Sequence, residues 1–121
     1  MVENLQPNFV FHDERGTLTQ LVREGFRQVN VITAKAGCVR GGHYHKINRE
    51  AFYVVSGRFS LVLYNEDEEE KKTYVAGDMF AIPPMVAHSF LFAEDTVLVS
   101  LYDKGVELDE KNKDIYPYPS V

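Results

Sequence analysis

The sequence predicts an all-β fold, and two observations lead there. Short alternating or apolar stretches recur with turn signals every ~8–12 residues, among them Glu24-Gly25, Ser56-Gly57, Ala76-Gly77-Asp78 and Glu94-Asp95. No long stretch carries the apolar period of an amphipathic helix. Pattern alone fits an antiparallel barrel or a sandwich. The length of 121 residues suits a single domain, 1–121, and no shift in composition marks a second.

Taken in order, residues 1–10 carry Pro7 and little periodicity and read as an N-terminal arm, suited to cover a neighbouring subunit's sheet edge. Asp13-Glu14-Arg15-Gly16 is a turn between apolar segments. Residues 17–23 and 26–34 alternate as strands, the second with Val29 and Val31 on one face and Asn30 and Ile32 on the other. Gly37, Gly41 and Gly42 mark close backbone packing or left-handed backbone. Residues 51–56 and 58–64 form a hairpin through Ser56-Gly57. The run Asn65 to Lys72 reads as a solvated, charged hairpin tip. Strands follow at 79–82, 87–92 and 96–102, with Pro83-Pro84 breaking the pairing between the first two. The tail, 104–121, is polar, with room for one helical turn near Asp109 before Tyr116-Pro117-Tyr118-Pro119.

Composition narrows the function. Hydrophobic residues at 45% and aromatics at 12% are enough to fill a barrel interior. A formal charge of -5 argues against nucleic acid or an anionic membrane as the main partner. Cys38 is the only cysteine, which fits a reducing compartment, and it reads as a small buried residue. No basic segment followed by an apolar run opens the chain, so a soluble cytoplasmic protein is expected.

The residues with chemistry cluster. His43 and His45 are separated by one residue, so on a strand their imidazoles share a face and Tyr44 points the other way. Glu50 follows just as an apolar strand begins, and His88 lies on a different strand. Two imidazoles and a carboxylate on one wall, joined by a third imidazole, make a divalent metal site of His43, His45, Glu50 and His88. His88, Phe90 and Phe92 share parity, so an inward His88 brings two aromatic rings to the same pocket.

The spacing Gly37, five residues, His43-x-His45, four residues, Glu50, six residues, Gly57 resembles the first signature of the cupin superfamily at every position. Gly77, five residues, Pro83, then His88 resembles the second, with Met85 where a glycine is usual and Phe92 where an asparagine is usual. The resemblance implies a cupin jelly-roll β-barrel. Within the cupins, Arg40-Gly41-Gly42-His43-Tyr44-His45-Lys46 resembles the dTDP-4-dehydrorhamnose 3,5-epimerases and the sugar-nucleotide 3,4-ketoisomerases. The likeness extends through Asp13-Glu14-Arg15-Gly16 and Gln28-Val29-Asn30, and more faintly through Tyr102 and Asp114-Ile115-Tyr116-Pro117. The tail is also similar to cupin domains of polysaccharide-synthesis enzymes.

By that resemblance His43 is the base, His45 its partner or proton shuttle, and Tyr102 the acid. The same resemblance assigns Arg40 and Arg15 to the diphosphate, while Phe90 and Phe92 are placed at the substrate pocket by their parity with His88. Asp103, Asp109 and Asp114 are the candidates for the carboxylate that orients the base. The chemistry suits the residues: moving a proton α to a carbonyl needs a near-neutral base, and histidine is one at physiological pH. Those relatives generally bind no catalytic metal, whereas Glu50 here completes a set fit for zinc, iron, manganese or nickel. The expectation is a homodimeric cupin acting on a nucleotide-linked keto sugar, as isomerase or epimerase in polysaccharide biosynthesis. The alternatives are a metal-dependent cupin of other activity, such as a small-molecule oxygenase, and a non-catalytic cupin that binds a metal or sugar.

Overall fold

The fold comes from a computed structural model that describes residues 1–118. Its strands are β1 (Glu3–Leu5), β2 (Phe9–Asp13), β3 (Gly16–Gln20), β4 (Gln28–Ala34), β5 (Val39–Tyr44) and β6 (Glu50–Ser56). They continue with β7 (Arg58–Tyr64), β8 (Glu69–Val75), β9 (Met79–Ile82), β10 (Ala87–Phe92), β11 (Thr96–Tyr102) and β12 (Tyr116–Pro117). Two five-stranded sheets, ordered β1-β9-β6-β11-β4 and β12-β5-β10-β7-β8, face one another, and β2-β3 forms a separate hairpin. This is the expected antiparallel jelly roll.

Alternation explains the core. Phe59, Leu61 and Leu63 of β7 point inward, as do Phe52 and Val54 of β6, Phe80 and Ile82 of β9, and Phe90 and Phe92 of β10. The rings interlock, with Phe52 stacked on Phe80 at 5.2 Å and Phe90 on Phe92 at 5.9 Å between centroids. Each fully buried ring contributes about 1.5–3 kcal/mol. That aromatic half of the barrel carries the folding energy, so the other end can hold polar groups.

Several expectations need correction. Residues 1–10 are not simply an arm: Glu3–Leu5 pairs with Met79–Ala81 of its own chain. The charged run does not stop at a hairpin tip, because Glu69–Lys72 lies in the edge strand β8, with Glu69 and Lys71 exposed and Glu70 and Lys72 half-buried and paired with each other. No helical turn forms at Asp109, where the tail is held by a Glu107–Lys113 bridge and an Asp109-capped turn. Cys38 is exposed, not buried. The last residues of the tail, from Pro119 on, lie outside the described residues.

Met85 has φ of 71°, in the left-handed region. That accounts for the glycine usual at this place in the motif: the turn after Pro83-Pro84 needs positive φ, and here a methionine adopts it at a cost of about 1 kcal/mol. Gly41 is more tightly constrained. Its φ is 104°, and a Cβ there would stand 2.6 Å from the His88 carbonyl oxygen. The β5–β10 ladder slips at this point, pairing Gly41 with Ser89 but His43 with His88, so that Gly42 is the extra residue of a bulge. Regular alternation would put Arg40 and His43 on opposite faces. The bulge turns both into the barrel.

Gly41→Ala should therefore lower stability by roughly 2–4 kcal/mol, from strained backbone and a steric clash together. Denaturant unfolding measures it, and a change below about 1 kcal/mol would mean the ladder can spread to accept a side chain.

Candidate metal and substrate site

Strand pairing assembles the polar end. His43 on β5 lies directly across from His88 on β10, and Glu50 at the start of β6 lies across from Tyr102 at the end of β11. His45 follows β5 immediately. Tyr44 turns outward, against Tyr116 and Tyr118. The His43 ring centroid is 5.2 Å from that of His45 and 4.7 Å from that of His88. One ligand atom from each of His43, His45, Glu50 and His88 lies within 4.8 Å of the others.

Hydrogen bonds fix how these groups face. His45 Nδ1 is 2.6 Å from the Asp114 carbonyl oxygen, and His88 Nδ1 is 3.1 Å from that of Val86. A carbonyl only accepts, so each Nδ1 carries the proton. A neutral ring must then present an Nε2 lone pair to the centre. His45 Nε2 is 3.1 Å from Glu50 Oε1, and His88 Nε2 is 3.7 Å from the same oxygen. His88 Nε2 is buried and has no hydrogen-bond partner among the described residues. Ser100 Oγ donates to the other Glu50 oxygen at 2.6 Å. Carbonyls behind imidazoles and a hydroxyl behind a carboxylate form the outer shell that orients metal ligands. The residues present therefore fit a divalent cation, and an unpartnered lone pair beside a carboxylate is what a cation would satisfy.

Burial and neighbours tune the four groups. Burial lowers the His88 pKa to about 4, so its ring is neutral at physiological pH. Burial also lowers that of His43, helped by the nearby His45. For His45 burial acts downward too, but the bonds to Glu50 and the Asp114 carbonyl outweigh it and raise its pKa. Burial pushes the Glu50 carboxyl up, yet its bond to His45 and the nearby histidines bring it below its usual value. Tyr102 is pushed upward, first by burial and then by the Glu50 charge, so it is a proton donor and not an anion.

A cavity of about 170 Å³ opens onto this cluster, walled by Arg40, His43, Glu50, His88, Phe90, Phe92 and Tyr102, among others. It is the place where a small substrate could meet the histidines. Arg15 is not in it: the residue sits on the exposed β2–β3 turn, where its guanidinium and backbone N–H bond Asp13. Among the three candidate carboxylates, Asp109 caps a surface turn and Asp103 accepts the Arg49 N–H at 2.9 Å. Asp114 reaches His45, through its backbone carbonyl.

A family model described as polysaccharide biosynthesis C-terminal domain matches residues 11–116. The chain belongs to that family. Among curated proteins, the spore coat polysaccharide biosynthesis protein SpsL of Bacillus subtilis is 28% identical, over 74% of this chain and 70% of its own length. QdtA, a sugar 3,4-ketoisomerase from Thermoanaerobacterium thermosaccharolyticum solved with TDP, superposes with a TM-score of 0.78 at 24% identity. That match covers 95% of this chain and 86% of QdtA. The dTDP-4-dehydrorhamnose 3,5-epimerase of Sulfolobus tokodaii gives a TM-score of 0.71 at 24% identity, over 84% of this chain and 69% of the epimerase. The cupin-like fold of these sugar enzymes is thus the fold of this family member.

Sequence reasoning missed Ser100, the bond donor behind Glu50, although a signal was present: it is the polar member of the inward row Leu98, Ser100, Tyr102. In the sequence Asp103, Asp109 and Asp114 are alike candidates for the orienting carboxylate, and only the faint likeness of Asp114-Ile115-Tyr116-Pro117 sets the last apart.

The pKa directions set a pH dependence for the metal-free protein. His88 has a folded pKa of about 4 against 6.5 when unfolded, so the unfolded chain takes up its proton first as pH falls. Stability from His88 is full above that range and is lost between pH 6.5 and about 4, by roughly 3 kcal/mol. His43 acts with the same sign. His45, raised, adds nothing further below its unfolded value. Denaturant unfolding of chelator-treated protein across this range should give that slope, and His88→Gln should flatten it. An equal slope in the variant would contradict a buried neutral His88.

Proposed function

We propose that this chain isomerises or epimerises a nucleotide-linked keto sugar, in the cytoplasm where such substrates are made, within polysaccharide biosynthesis. The observation that carries this reading is His43. It is the half-buried member of the histidine cluster, it lines the cavity, and burial keeps it neutral and able to accept a proton. The fold shared with sugar ketoisomerases and epimerases and the family match support it.

In this reading His43 removes the proton from the carbon α to the sugar's keto group, leaving an enediolate. Returning a proton to that carbon from the other face, for which Tyr102 is the candidate donor, gives an epimer. Returning it to the former carbonyl carbon, while the neighbouring hydroxyl's proton passes to the former carbonyl oxygen, moves the keto group. Arg40 at the cavity wall offers paired N–H groups to a diphosphate. Phe90 and Phe92 supply an apolar wall that excludes water. Arg15 would contribute to binding only from outside this cavity.

His45, Glu50 and His88 would hold a divalent cation, with His43 as the available fourth ligand. Such a cation supplies Lewis-acid stabilisation of a developing oxyanion. His43 cannot give one lone pair to a cation and to a substrate proton together, so its two roles separate by experiment. As the base, His43→Asn should retain a stoichiometric cation and lose solvent-deuterium exchange at the α carbon of a dTDP-4-keto-6-deoxyhexose by about 10²-fold or more. Glu50→Gln should lose the cation. Loss of cation from His43→Asn would make it a ligand. Unchanged deuterium exchange in that variant would overturn the assignment as base.

The chain is further proposed to be a homodimer. Phe9, Val10, Phe11 and Leu18 of the β2–β3 hairpin are each about half exposed, on both faces of the hairpin. Val29 and Val31 of the edge strand β4 are 60% and 69% exposed. A hairpin with Phe9, Phe11 and Leu18 bare on one face complements the apolar Val29 and Val31 of edge strand β4 across a two-fold axis. Light scattering at tens of micromolar should report a dimer, and Val31→Glu should shift it to monomer; a monomeric parent protein would contradict the reading.

A further inference from the structure

Between His45 and Glu50 the chain leaves one sheet and enters the other through Lys46, Ile47, Asn48 and Arg49. That crossing is gripped by one residue of the tail. Asp114 is 1% exposed. Its Oδ1 accepts the Lys46 N–H at 2.8 Å, and its Oδ2 accepts the Ile47 N–H at 3.1 Å and the Asn48 N–H at 2.9 Å. The Asn48 side chain also donates to Oδ2 at 2.9 Å. The backbone carbonyl of the same residue accepts the His45 Nδ1 proton at 2.6 Å.

The tail is itself anchored on both sides of this point. Asp114 N–H donates to the Val106 carbonyl at 2.7 Å, and Tyr116–Pro117 pairs with Tyr44 and His43. Asn48 closes the frame by accepting the Lys104 and Gly105 N–H groups at 3.0 Å. A carboxylate is the group that fits, since both of its oxygens accept and neither donates. An amide would turn an NH2 toward a backbone N–H.

We propose that Asp114 is a positioning residue for the site. Its carboxylate sets the path from His45 to Glu50, and its carbonyl holds the His45 ring with Nε2 turned toward Glu50 and His88. It is not among the residues that wall the cavity. The geometric part of this inference stands on the hydrogen bonds alone; its consequence for affinity rests on the proposed cation site.

The test uses the full chain with 15N-labelled histidine, as wild type, Asp114→Asn, and Val54→Ala as a control weakened in the core away from the site. In the metal-free proteins, a slowly exchanging His45 Nδ1 proton is expected in wild type and control, and its loss is expected in Asp114→Asn. Cobalt(II) titration of the same proteins should give about 10–100-fold weaker binding in Asp114→Asn, with wild-type affinity in Val54→Ala. Should Asp114→Asn not fold, Asn48→Ala removes one of the carboxylate's donors and is read the same way, with a smaller effect. An Asp114→Asn protein that keeps the protected Nδ1 proton and full cobalt affinity overturns the inference, as does an equal loss in Val54→Ala. If wild type takes up no cobalt, the cation reading fails, and the histidine signal still decides what Asp114 does.

Discussion

Two imidazole nitrogens and a carboxylate oxygen face one another at the buried end of the barrel, and their arrangement constrains everything around them. Backbone carbonyls hold the protons of His45 and His88 on Nδ1, which leaves His88 Nε2 unpartnered 3.7 Å from Glu50 Oε1. Like-signed electron density at that separation in a dry interior is unfavourable unless positive charge lies between. A proton on His45 relieves part of it, which is the physical meaning of the raised His45 and lowered Glu50 pKa values. A divalent cation would relieve all of it. Either way the site is stressed when empty of positive charge, and the surrounding structure has to hold it.

It holds because the barrel is divided. One half is packed with Phe52, Phe59, Phe80, Phe90 and Phe92. The other half spends its hydrogen bonds on orientation: Ser100 on Glu50, Val86 on His88, Asp114 on His45. The bulge at Gly41 and Gly42 lies where the halves meet, and it brings Arg40 to the same cavity as His43. A guanidinium beside a neutral imidazole is then a consequence of one extra residue in one strand.

Much of this was legible in the sequence because it depends on short-range rules. Turn and breaker signals gave the bounds of β7, β9, β10 and β11, and strand parity gave the inward row His88, Phe90, Phe92. The spacing of His43, His45 and Glu50, with His88 from a later strand, anticipated a cluster that the structure brings together. What escaped depends on contacts between distant segments. β1 is too short and too polar to announce itself, and it is a strand only because β9 offers an edge. Asp114 stands in a faintly resembling segment, but what it grips becomes apparent only when the fold brings it to residues 46–48. Arg15, grouped with Arg40 through a local motif, lies outside the cavity because its hairpin stands apart from both sheets.

The most direct test of this account is X-ray absorption at the metal edge of protein purified without chelator or affinity tag. The account predicts a stoichiometric divalent metal with imidazole nitrogens and a carboxylate oxygen at about 2.0–2.2 Å. A metal-free protein, or one whose metal has only solvent oxygens as neighbours, would contradict it. The buried lone pairs of His45 and His88 would then have to be reconciled with Glu50 by protons alone.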